Sequence, residues 1–149
     1  MPVNPDLVGR AFAPTPPYLV GREKVREFAR AVFADAPQHH DPDAARQLGF
    51  SDVVAPPTFA MVIQDLTLQQ LLSDPDSGIV LARTIHAEQR FEYSRPIVAG
   101  DELTAQLQVT GIRPMRGSAM ITSEAAMTDA SGAHVVTAIS TLLVGDDAS

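Results

Sequence analysis

The chain contains no cysteine. That excludes disulfides, thiolate catalysis and cysteine-ligated metal, and it fits a reducing compartment such as the cytoplasm. No apolar run approaches the ~18 residues that a membrane span needs. The first eight residues carry prolines and an aspartate where a signal peptide would have a basic and then an apolar stretch, so none is expected. Cationic residues are few: 11 Lys and Arg stand against 18 Asp and Glu, for a formal net charge of −7. An acidic chain without a basic stripe is a poor match for nucleic acid. What remains is 149 residues, 45% of them hydrophobic, which suits one soluble domain over 1–149 with a sizeable core.

Five prolines fall within residues 2–17, which reads as an extended arm with no regular structure. Tyr18 to Val20 reads as a short strand. From Arg22 to Ala34 the apolar residues Val25, Phe28, Ala29, Val32 and Phe33 recur at helical spacing. Asp41-Pro42 has the form of an N-cap followed by proline at the first helical position, and Gly49 closes that helix after two turns. Pro56-Pro57 marks the start of a longer helix running from Thr58 to about Leu72. This helix is apolar over most of its circumference and is therefore expected to be buried.

After the turn-rich segment Ser73–Gly78 the period changes to two. Ile85, Ala87, Gln89, Phe91 and Tyr93 alternate with polar residues. So do Leu103, Ala105, Leu107 and Val109. Ala119, Ile121, Ala125 and Met127 share a face, as do Val135, Ile139 and Leu143. Turn chemistry separates these runs at 96–101, 111–117 and 129–132. The order predicts an α+β fold: four long antiparallel strands, read as a meander, wrapped around a central apolar helix. Residues 145–149 form a short polar tail.

Two stretches carry a family resemblance. One is Gly49-Phe50 with Ala55-Pro56-Pro57-Thr58-Phe59. The other is His86 to Pro96, followed by Gly100-Asp101. With Val8-Gly9-Arg10 and Val20 to Ala29, they resemble the small actinobacterial relatives of MaoC. Those relatives are similar to the dehydratase domain of type I fatty acid synthase and to the substrate-binding subunit of mycolic-acid 3-hydroxyacyl dehydratases. The resemblance implies a hot-dog fold and an (R)-3-hydroxyacyl or enoyl thioester of coenzyme A or acyl carrier protein as substrate. No cofactor is expected, and the spacing of Asp35, His39, His40 and Asp41 matches no strong metal motif.

Active members carry a loop Asp-x-Asn-Pro-x-His-x-Asp, whose aspartate and histidine act on water and substrate. Here the loop reads Asp35-Ala36-Pro37-Gln38-His39-His40-Asp41-Pro42. Counted forward from Asp35, His40 takes the histidine position; counted back from Asp41-Pro42 and Gly49-Phe50, His39 does. Asp35, His39 and His40 are therefore the catalytic candidates, beside the alternative of two solvated imidazoles in a polar loop. The asparagine is missing either way. The family's His-Gly at the helix start reads Ala55-Pro56, and neither Pro56 nor Pro57 has the amide hydrogen that would hold a thioester carbonyl; Thr58 has one. Ala55, Pro56, Pro57, Thr58, Val62 and Leu66 are the expected acyl-binding residues. Arg113 and Arg116, beside Pro114, are candidates for coenzyme A phosphate or carrier docking.

Three functions follow. The chain is an acyl-binding supporting subunit beside a MaoC-like catalytic chain, a self-sufficient hydratase or dehydratase homodimer, or a hot-dog thioesterase. The third is the weakest, because the helix start lacks an acidic nucleophile or base.

Overall fold

The apolar period after Gly21 produces helix α1, Arg22–Ala31, which buries Val25 and Ala29. Its Phe28 ring meets Phe59 edge-on, with centroids 5.4 Å apart. The helix stops three residues short of the expected end. The Ala34 N–H turns back to the carbonyl of Ala29 at 2.8 Å, and Phe33 between them sits at φ 58. That left-handed position usually belongs to glycine. Helix α2, Pro42–Gln47, begins as expected, with the Asp41 carboxylate accepting from the Asp43 N–H at 2.9 Å. A 3₁₀ turn over Pro57–Phe59 then feeds helix α3, Ala60–Ser73. The structure, a computed structural model, describes residues 2–146. Most of the expected polar tail therefore lies outside the described residues.

The sheet has five antiparallel strands: β1 Tyr18–Leu19, β2 Thr84–Tyr93, β3 Glu102–Met115, β4 Ser118–Thr128 and β5 His134–Gly145. Their order is β1-β3-β4-β5-β2. Only β3, β4 and β5 form the expected meander. β2 is not a neighbour of β3, because the segment between them does not turn back as a hairpin. It pairs instead with the start of the α3 region, through an isolated bridge between Val54 and Val98. The sheet curls around α3, which turns Ala60, Ile63, Gln64, Thr67, Leu68 and Leu71 inward.

The alternation read along β2 also needs correction. A bulge at Ala87 shifts the register against β5 between His86 and Glu88. An inserted residue moves the side chains before and after it onto opposite faces. Ile85 is consequently 62% exposed, while Phe91 and Tyr93 pack on the core.

The proline-rich arm is extended but not free of structure. It contains a 3₁₀ turn at Pro5–Leu7 and a bridge from Ala11 to Gln108. Leu7 is fully buried, because the arm runs along β3 and tucks this side chain into the far end of the core.

Candidate functional site

The loop after α1 is pinned from several sides. The Arg26 Nε donates to the carbonyl of His40 at 2.8 Å while its guanidinium pairs with Glu23. The Val54 N–H donates to the carbonyl of Gln38 at 2.9 Å. These bonds set a 3₁₀ turn, Pro37–His39, against the chain that leads into α3. They also separate the two histidines. His39 Nδ1 lies 2.6 Å from the carbonyl of Val54, so this nitrogen carries the proton and donates it. In the tautomer with its hydrogen on Nδ1 alone, Nε2 carries the ring's lone pair. His40 instead spends Nε2 on the carbonyl of Ala34 at 2.7 Å, which ties the loop to the end of α1.

His39 lines a cleft of about 530 Å³. Gln38, Val54, Ala55 and Pro57 form the rest of one wall, and Tyr93, Ser94, Arg95 and Pro96 form the other. The walls are joined by the Ala55 N–H, which donates to the carbonyl of Ile97 at 2.8 Å, and by the Tyr93 hydroxyl, which donates to the carbonyl of Pro57. Burial pushes the Tyr93 hydroxyl up to about 12, so at neutral pH it is a donor and not a base. Arg95, on this wall, is already engaged by carboxylates. Its guanidinium bonds Asp101 at 2.8 and 3.2 Å and Asp129 at 3.1 Å, and these carboxylates hold it charged.

Of the three catalytic candidates, the structure therefore brings His39 alone to the cleft. Asp35 is exposed and is not among the lining residues, and His40 faces the α1 end. No Asp or Glu lines the cleft among the described residues. Of the expected acyl-binding residues, Ala55 and Pro57 line it. Pro56 is buried behind them, and Thr58 lies in an adjoining groove with Met61 and Phe91. Val62 packs partly buried against the core next to the cleft, and Leu66 is 37% exposed. Arg113 and Arg116 belong to the β3–β4 hairpin, where Arg113 pairs through Met120 and Leu143 to the row of Ile85. That row is eight residues along β2 from Tyr93, or about 26 Å, so on one protomer neither arginine reaches the cleft.

The second wall was not visible in the sequence. Tyr93 to Pro96 read as a strand end within the stretch that carries the resemblance, not as part of the site. The bonds that bring it to Val54 and Ala55 join residues some forty positions apart and leave no local period.

Comparison with known proteins gives the family and the fold. Residues 6–138 match the family described as FAS1-like, dehydratase domain region. A UPF0336 protein of Clavibacter michiganensis subsp. michiganensis is 62% identical over 149 residues, covering 99% of this chain and 100% of its own. The HadBC (3R-hydroxyacyl-ACP dehydratase) complex from Mycobacterium tuberculosis superposes with a TM-score of 0.84 at 32% identity, over 93% of this chain and 97% of that one. A MaoC-like dehydratase superposes with a TM-score of 0.86 at 40% identity, over 93% of this chain and 42% of that one. The chain belongs to the FAS1-like dehydratase family and has the hot-dog fold of the MaoC-like dehydratases.

Proposed function

We propose that this chain is the acyl-chain-binding, supporting subunit of an (R)-3-hydroxyacyl-thioester dehydratase. The observation that carries this reading is a cleft with one imidazole and no carboxylate. Dehydration of a 3-hydroxyacyl thioester removes a proton from C2 and expels the C3 hydroxyl as water. One group must take the first proton and one must protonate the leaving oxygen. His39 Nε2 can serve once, and no carboxylate lines the cleft beside it among the described residues. The thioester carbonyl also lacks a donor at Pro56 and Pro57, which have no N–H. A MaoC-like partner carrying an intact Asp-x-Asn-Pro-x-His loop supplies what is missing. The outer edge of β2 is the surface on which its sheet can continue. That the solved HadBC structure is itself a complex supports this arrangement.

A self-sufficient homodimer is the second reading. The observation in its favour is His39 itself, held by Val54 in the tautomer that a general base requires.

Hydration of crotonyl-coenzyme A separates the two. The lone chain should turn over at least about 10²-fold more slowly than its mixture with a MaoC partner, the scale expected for a missing acid–base group or oxyanion donor. The mixture's activity should depend on the partner's histidine. Brisk turnover by the lone chain, lost in His39→Ala and kept in His40→Ala, would establish the homodimer instead.

A further inference from the structure

The core divides into two packed clusters, and they are built differently. The cluster next to the cleft contains Ala55, Ala60, Ala99, Ala105, Ala125 and Ala138 among its buried residues. The cluster at the far end is made of buried leucine, isoleucine and valine, with no alanine. Along α3, β4 and β5, buried polar side chains fall between the two clusters. On α3, Gln64 stands between Ile63 of the first cluster and Leu68 of the second. On β4, Ser123 stands between Ala125 and Ile121; on β5, Ser140 stands between Ala138 and Leu142. Gln64 is 0% exposed, yet neither its Nε2 nor its Oε1 has a hydrogen-bond partner among the described residues. Ser123 and Ser140, also buried, bond each other at 3.4 Å.

We infer that these polar side chains form the floor of the acyl pocket and limit the site to thioesters of medium chain length. The inference rests on the acyl-binding reading above. The first cluster sets six alanines beside larger side chains such as Phe59, Ile63, Leu103 and Met127, so it offers small residues that the far cluster lacks, and Ala55 joins it to the cleft. A tail entering there follows α3 inward from Pro57. Seven residues of helix separate Pro57 from Gln64, which is about 10 Å, or roughly eight methylene groups. At that depth the tail meets an amide that needs a polar partner. A single water bonded to Gln64 and a serine hydroxyl meets the need, because a buried water requires two to four polar partners. A longer tail must displace it and leave the amide buried and unpaired, a loss of about tenfold or more in affinity. Beyond this floor, the large aliphatic side chains leave no small-residue path.

Calorimetric binding of a saturated acyl-coenzyme A series to the full-length chain tests this, from butyryl through octanoyl and dodecanoyl to palmitoyl. For the wild type, affinity should rise to about the octanoyl–decanoyl range and then stop rising. Gln64→Leu and the near-isosteric Gln64→Met should each carry the rise to dodecanoyl and beyond. The gain should be about tenfold or more at the long end, with butyryl binding unchanged. A wild-type affinity that climbs smoothly to palmitoyl, or a break that neither variant moves, would overturn the floor while leaving an acyl-binding site in place. Absence of binding at every chain length would remove the acyl-binding reading itself, and the floor with it.

Discussion

The two long edges of the sheet receive opposite treatment. Along β3 the chain's own N-terminus lies down as a strap. The N–H groups of Gly9, Phe12 and Thr15 donate to the carbonyls of Val109, Leu107 and Ala105 at 2.8 to 2.9 Å. The Ala105 N–H answers to the Thr15 hydroxyl at 3.0 Å, and β1 continues the cover at the strand's beginning. Along β2 no strand among the described residues lies on the outer side. An unpaired edge is a template for another chain, and proteins that gain nothing from it cover or disrupt it. Here sixteen residues of arm close one edge while a ten-residue strand, bulged only at Ala87, is left open on the other. The contrast teaches that the open side is the one suited to assembly, and it places the cleft at the end of the open strand.

The largest effect is expected on β2. Successive N–H groups of an edge strand point alternately to the neighbouring strand and outward. Of Gln89→Pro and Arg90→Pro, one therefore spares the ladder to β5 and removes only an outward donor, which an edge strand tolerates. That variant should remain folded but run in light scattering at the 15.9 kDa of a single chain, whereas the wild type runs at twice that mass or joins a partner. A wild type that is monomeric at micromolar concentration would break the comparison.

The covered edge should respond in stability and not in assembly. Leu7 is fully buried in the far cluster, so Leu7→Ala should cost about 2–5 kcal/mol, read as a lower urea midpoint. Wild-type mass with reduced stability confirms the strap as internal cover; a change of mass alone would show that the arm is also an interface.

The smallest effect concerns the pin at the end of β2. Hydrogen bonds from Ser131 and then from Arg95 hold the Asp129 carboxylate at about 2, below its ordinary 3.8. A carboxylate lowered in the folded state stabilises above its unfolded value and loses that contribution as pH falls toward the folded one. Asp129→Asn should therefore lower the melting temperature slightly at pH 5 to 7, and the difference from wild type should vanish between pH 4 and pH 2. A constant difference across that window would mean the charge is not what matters.

Much of this was legible in the chain. The spacing of Val25 and Ala29, the cap at Asp41 and the prolines before α3 all act within a few residues of themselves, so local sequence reports them. The hot-dog arrangement followed from one buried helix and several long strands. What escaped was set by contacts distant in sequence. Nothing near Ala87 announces a bulge, because the register against β5 creates it. β2 lies on the far side of β5, and the segment after it bridges Val54 through Val98, contacts distant in sequence. Asp35 and His40 match the family loop by count, yet only the geometry of the turn decides that His39 reaches the cleft. Gln64 drew no notice in an apolar helix, since a polar residue there gains meaning only from lacking a partner.

The strap also carries a consequence for synthesis. Its residues Gly9, Phe12 and Thr15 leave the ribosome before their partners Gln108, Gln106 and Ala105, which follow 99, 94 and 90 positions later. At typical translation rates that is a wait of roughly 5–20 s. The strap thus cannot find its place before β3 is made, and β3 emerges with its flank uncovered until the arm returns. An extension fused to the N-terminus would tax this step by slowing the return of the arm, while the same extension at the other end would leave the strap's docking untouched.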